Sequence, residues 1–251
     1  MLDHLKIILS NNRSNFAPFG GDPMVEIEGQ NIPVRIMRNP RAARLSMRVD
    51  AVKREIRITM PTYAPTATAL DFVTKKKEWI GARLQSAPEA APLLPGAQLA
   101  IQGEAHVICW QEDWPRQIVV SGGELRLGGP HAMVSARILR WLKTQARAIF
   151  TAEIAHYCAI AGAKPPRLQL GDTRSRWGSC SSAGTIALSW RLIMAPPHVR
   201  RSVIAHEVAH IRHMDHSPRF YAWLDSLYEG DRKAADLWLK RHGTGLHVVG
   251  R

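Results

Sequence analysis

The strongest constraint on this chain is a change of hydrophobic period near Gly128-Gly129-Pro130. Before it, from Met24 onward, apolar residues fall at every second position in MVEIEG, IPVRIMR, ARLSMRVD and REIRITMP. That is the period of half-buried strands, because successive strand side chains leave opposite faces. EGQN and DAVK supply turns between them, and AHVICW, RQIVV and ELRLG continue the pattern, with Gly122-Gly123 turning the last pair. After it, Ile138, Leu139, Trp141, Leu142, Ala146, Ile149, Phe150 and Ile154 recur at helical spacing, which predicts one long amphipathic helix within 131–162.

The period change therefore predicts an α+β chain of two domains: a β-rich N-terminal domain over 24–130 and a helix-rich domain over 131–251. Residues 1–23, polar and rich in Gly and Pro toward their end, read as a flexible N-terminal tail. The first domain carries one helix, from about Pro65 to Gln85, with Leu70, Val73, Trp79, Ile80 and Leu84 on its apolar stripe and KKKEW on a solvated face. SAPEAAPLLPGA reads as a linker, since its prolines prevent regular pairing. In the second domain, RLQLGD, RSRWGSC and TIALSWRL read as strands, the last two around an SSAG turn. Pro196-Pro197 opens a helix through VRRSVIAHEVAHIRH, Ser217-Pro218 opens another, and a third spans about 231–241.

Composition narrows the class. An apolar content of 45% over 251 residues provides for a real core and excludes a disordered chain. Three cysteines, Cys109, Cys158 and Cys180, without CxxC spacing indicate neither a disulfide framework nor a cysteine zinc cage, and fit a reducing compartment. No apolar run reaches the roughly 18 residues of a membrane span, and the apolar stretch in MLDHLKIILSNNRSN is too short for a secretory signal. A soluble, cytoplasmic protein without a membrane partner is expected. The net charge of +13 is uneven: residues 1–130 hold 16 basic and 13 acidic groups, residues 131–251 hold 18 and 8. Nine of the eleven histidines also lie in the second stretch, so an anionic ligand such as a nucleotide or nucleic acid is a possible partner there.

The chemistry concentrates in His206-Glu207-Val208-Ala209-His210, an HExxH on a predicted helix. Positions i and i+4 share a helix face, so both imidazoles can reach one metal ion. Glu207 stands beside the first histidine, where a carboxylate can take the proton of an attacking water and pass it to the leaving group. Zinc suits such nitrogen ligands with one position left open. The third ligand is His216 or His213. Three ligands on one straight helix fill a tetrahedral site poorly, whereas His216, after a helix break, approaches from another direction. The six-residue offset from His210 to His216 is shared with metzincin proteases, but His213 stands where they have glycine and no methionine follows Met214.

The stretch RSRWGSCSSAGTIALSWRLIMAPPHVRRSVIAHEVAHIRHMDHSPRF resembles the signature of the YgjP-like zinc metallopeptidases, relatives of the SprT-like and WLM proteases. Its pieces stand in order: Arg176 to Cys180, Trp190 to Leu192 as a strand, Ala195 to Pro197, His206 to His210, and His216-Ser217 with Phe220. The basic strands and the KKKEWI helix of the N-terminal part look similar too. The resemblance implies a zincin-like catalytic domain over 131–251, with one zinc per chain on His206, His210 and His216, Glu207 as catalytic base, and peptide or protein substrates. Asp215 departs from the asparagine more usual in relatives; it either orients a ligand imidazole or, as expected, faces solvent.

Around that core, Arg174, Arg176 and Trp177 are candidate substrate-binding residues: the arginines can clamp a carboxylate or phosphate, and Trp177 can form an apolar wall or simply belong to the core. Cys180 reads as a packed thiol. Tyr221, Tyr228 and His213 can each donate to a developing oxyanion. A zinc metallopeptidase is the leading expectation. A metal-dependent phosphohydrolase, such as a nucleotide pyrophosphatase, is the alternative that the basic charge and the two arginines keep open. A basic nucleic-acid-associated SprT-like protease is a third reading, although no DNA-reading motif accompanies it.

Overall fold

The computed structural model describes residues 22–51, 53–85 and 91–250. Apart from Asp22 and Pro23, the tail expected over 1–23 lies outside the described residues. The chain forms two compact units, 1–89 and 90–251.

In the first unit the alternating segments become β1 (Met24–Ile27), β2 (Gln30–Arg38), β3 (Ser46–Asp50) and β4 (Glu55–Met60). They pair in the order β1-β2-β4-β3, with β2 and β4 parallel and the outer pairs antiparallel. The inward face of Val25, Ile27, Ile32, Val34, Ile56, Ile58 and Met60 closes on Ala69, Val73, Ile80 and Leu84. Those four lie on two helices, α1 (Thr66–Lys75) and α2 (Lys77–Gln85), where one was expected. The break is at Lys76, with φ −113° and ψ 14°. Three consecutive lysines occupy the junction, and no buried apolar side chain stands between Val73 and Ile80 to hold a continuous helix there.

The second unit opens with another four-stranded sheet, β5 (Gln98–Ile101), β6 (Glu104–Trp110), β7 (Val119–Ser121) and β8 (Glu124–Leu127), in the order β5-β6-β8-β7. Its face of Leu99, Ile101, Ile108, Leu125 and Leu127 merges with Val134, Ile138 and Leu142 of α3 (Val134–Ala161) in one core. This corrects the expected boundary at 130/131. A change of period marks a change of element type, but the strands on one side and the helix on the other bury the same apolar surface. The end of the expected linker belongs here as well: Leu93 is buried in this core, and Ala91 bridges Val249.

After α3 come β9 (Arg167–Gly171), β10 (Gly178–Ser181) and β11 (Thr185–Ser189), with β11 between antiparallel β10 and parallel β9. Trp190–Ile193 form a tight 3-10 turn, not the expected strand continuation. All four side chains are buried. Arg191 locks the turn by donating to both oxygens of Asp172 at 2.5 and 3.2 Å and to the carbonyls of Leu246 and Val249 at 2.6 and 3.0 Å. The HExxH segment then lies on α4 (Pro197–Ala209), followed by α5 (Pro218–Leu227) and α6 (Arg232–Leu246). Ser217 and Asp231 cap α5 and α6 through their side-chain oxygens. The start of α4 is held from two sides. Gln102 and Gly103, in the β5–β6 turn, donate backbone N–H bonds to Ile193 and Met194 at 2.8 and 3.0 Å, while Arg200 grips Glu153 of α3 with two bonds of 2.9 and 2.7 Å. Among the described residues no helix is long and apolar enough to cross a membrane, and the three cysteines are unpaired.

Candidate active site

His206 and Glu207 sit in the last turn of α4, and His210 ends it. The chain then turns through 211–216, so that His216 returns toward the helix it has just left. Nε2 of His206 lies 3.2 Å from Nε2 of His210 and 3.1 Å from Nε2 of His216. Three tetrahedral nitrogen ligands, each about 2.0–2.1 Å from a metal ion, stand about 3.3 Å apart, close to this spacing. The donor set thus fits one metal ion. Burial pushes the His206 imidazole down to about 4, assisted by the adjacent His210 and His216, so its lone pair is free at neutral pH.

His213 is present through its backbone: its carbonyl oxygen accepts from Nδ1 of His210 at 2.9 Å, leaving Nε2 of His210 to face the other two imidazoles. Phe220 of α5 backs all three rings, stacked on His210 with centroids 4.5 Å apart and edge-on to His206 and His216. Asp215 is exposed and accepts from the Ser217 hydroxyl at 3.1 Å, as the solvent-facing expectation has it.

Glu207 is buried, and burial pushes its carboxyl up to about 7 against the opposing pull of the Arg176 guanidinium and the backbone amide of Cys180. The RWGSC segment supplies its seat. A Cβ placed on Gly178 would come within 2.5 Å of Oε1 and 2.7 Å of Cγ of Glu207, so only glycine lets β10 lie this close to α4. Cys180 carries a thiol pushed up by burial and by the Glu207 charge, which makes it a packed thiol and a poor nucleophile.

A cleft of about 280 Å³ adjoins His206 and Glu207. Of the three candidate substrate-binding residues, Arg176 and Trp177 line it and Arg174 does not. Trp177 is both wall and core: it packs against the main core, stacks on His247 at 4.7 Å, and its indole fits over Gly243 of α6. Trp190 and Trp223 belong to the core, buried and partly buried respectively. Of the oxyanion candidates, Tyr228 is committed to the carbonyl of His198 at 2.7 Å, whereas Tyr221 lies on the cleft wall. Sequence reasoning missed Arg232 and Asp236, which α6 brings to the same wall. The sequence predicts only a helix over about 231–241 there, because nothing local ties α6 to α4.

A carboxyl beside three converging imidazoles at the edge of a cleft defines a candidate metallohydrolase centre. The chain belongs to a named family of this kind: the description "YgjP-like, metallopeptidase domain" matches residues 43–242. No curated protein matches the chain. Among solved structures, the metallopeptidase zymogen abylysin of Pyrococcus abyssi is similar at 20% identity, covering 37% of this chain and 93% of that one, with a TM-score of 0.34.

Proposed function

We propose that this protein is a zinc-dependent peptidase acting on peptide or protein substrates, with His206, His210 and His216 holding one zinc ion per chain and Glu207 as general base. The observation that carries this reading is the convergence of the three Nε2 atoms beside a carboxyl seated by Gly178 and Cys180. Zinc held there supplies Lewis-acid polarisation of a substrate carbonyl and of water. Glu207 takes a proton from the attacking water and returns it to the departing amine, while Tyr221 is placed to donate to the developing oxyanion. Trp177 offers an apolar wall for the substrate. The three unpaired thiols agree with a reducing, cytoplasmic setting.

Purified protein is expected to carry about one zinc per chain by elemental analysis. His206→Ala loses the metal, whereas Glu207→Ala keeps it and loses hydrolysis of an unfolded protein by roughly 10²–10⁴-fold. A fully active Glu207→Ala variant overturns the mechanism. Gly178→Ala should likewise retain zinc and lose rate, since the added methyl displaces the carboxyl. The base is the ionised form, so the rate falls with acidification through the Glu207 pKa, which lies at or below about 7 once a cation binds nearby. Nucleoside triphosphates incubated in parallel test the phosphohydrolase alternative directly.

A further inference from the structure

We infer that the cleft beside His206 and Glu207 is a subsite for a carboxylate-bearing residue of the substrate, with Arg176 as its principal recognition group. The inference rests on the peptidase reading above and adds its substrate class. Part of the cleft lining is apolar: Trp177, Val203 and Leu239, all partly buried against the main core. Arg176 and Arg232 line the same cleft as that surface.

Arg176 is exposed, and among the described residues no carboxylate lies within ion-pair distance of it. Arg176 lines the same cleft as His206 and Glu207. Arg232 faces the same cleft but is held in place: its Nε donates to Asp225 at 3.1 Å and its guanidinium lies over the Tyr221 ring at 4.9 Å. Its side chain is only 25% exposed. Asp236, one helical turn beyond Arg232, is the acidic wall residue besides Glu207, and it is exposed. Glu207 apart, Arg232 is thus the less exposed charged group of the wall, and Arg176 is a cation there with no ion-pair partner among the described residues. A lysine side chain beside Arg176 meets a guanidinium group, whereas a carboxylate there meets N–H donors in fork geometry. The surplus of basic over acidic groups in residues 131–251 draws anionic peptides toward the same surface.

The carboxylate has two sources, an Asp or Glu side chain or the C-terminus of the peptide. The test uses peptides of one cleavable sequence carrying Glu, Gln or Lys at each position around the cleaved bond, each with a free or an amidated C-terminus. Hydrolysis is followed with zinc-loaded wild-type protein, and binding of the same labelled peptides by fluorescence anisotropy with Glu207→Gln protein. A preference of about tenfold for the carboxylate-bearing peptide is expected in both kcat/KM and Kd. If amidation alone abolishes it, the C-terminus is the source; if exchange of Glu for Gln abolishes it, the side chain is. Arg176→Gln should remove the preference and Arg176→Glu should reverse it toward Lys. Equal handling of all peptides by wild-type protein, or a preference unchanged in Arg176→Glu, overturns the subsite while leaving the peptidase reading intact. Preferential binding without any hydrolysis supports the subsite and overturns the peptidase reading.

Discussion

The two four-stranded sheets of this protein have the same wiring and different fates. In each, the first strand pairs antiparallel with the second, the second parallel with the fourth, and the fourth antiparallel with the third. Even the first hairpin turns agree: Glu28-Gly29 and Gln102-Gly103 both carry positive φ, at 50° and 75° in one and 53° and 87° in the other. The chain that follows differs. After β4 come two short helices that cover the sheet and complete a separate core. After β8 comes α3, a helix of 28 residues whose buried side chains share one core with those of β5–β8 and which contacts α4. A sheet of given topology thus becomes a self-contained unit or one layer of a larger core according to the apolar surface its successor offers. Through α3 and the β5–β6 turn, the second sheet supports the helix that carries His206 and Glu207.

The largest effect expected from this contrast is on truncation. Residues 90–251 should fold and bind zinc alone, whereas 131–251, cut at the change of hydrophobic period, should not. The shorter piece loses the partners of Val134, Ile138 and Leu142 together with the five buried side chains of β5–β8. At about 1.5–3 kcal/mol for each fully buried side chain, that is as large as a typical net stability of about 5–15 kcal/mol. Circular dichroism and gel filtration of the two pieces decide it; a folded, zinc-binding 131–251 breaks the comparison. A smaller effect separates the two sheets in the full chain. Ile58→Ala and Ile108→Ala each remove a buried side chain and should each cost about 2–5 kcal/mol. Two unfolding transitions are expected in calorimetry. Zinc at a thousandfold excess over Kd should raise only the one lowered by Ile108→Ala, by about 4 kcal/mol. A single transition shifted equally by both substitutions would show that the cores are not independent.

How much of this was legible beforehand followed from the range of the interactions. The facing of His206 and His210 is set by helix pitch alone, so an i, i+4 pair in sequence suffices. The strands of both sheets were legible for the same local reason, since alternation such as that in REIRITMP is a property of adjacent residues. The seat of Glu207 was not. It depends on β10 lying across α4, and the only trace in sequence was the glycine of RWGSC, which a turn would explain equally well. The shared wiring of the sheets was hidden because their loops differ in length and their buried positions need only apolar character, so no fixed-period repeat survives. The domain boundary was misread because periodicity reports which face of a segment is apolar and says nothing about what covers it. Arg232 and Asp236 reach the cleft only through the packing of α6, a contact between distant parts of the chain.

The smallest effect lies in the two matching turns, where the contrast is sharpest because the local geometry is nearly the same. Gly29 and Gly103 both need positive φ, so alanine at either position carries the left-handed penalty of about 1–2 kcal/mol. At Gly29 that is the whole cost, since an added Cβ meets nothing within 4 Å. At Gly103 the Cβ would stand 2.9 Å from both Cα and Cγ of Pro196, where the backbone enters α4. That contact cannot be relieved by rotating a side chain, so Gly103→Ala should cost roughly 1–2 kcal/mol more than Gly29→Ala. It should also weaken zinc binding, because the displaced residues lead directly into the helix bearing His206 and His210. Gly29→Ala should lower the transition of its own unit and leave zinc affinity unchanged. Equal costs for the two variants, measured by denaturant titration with zinc affinity in parallel, would mean that the β5–β6 turn does not hold α4 in place and that the second sheet supports the site through α3 alone.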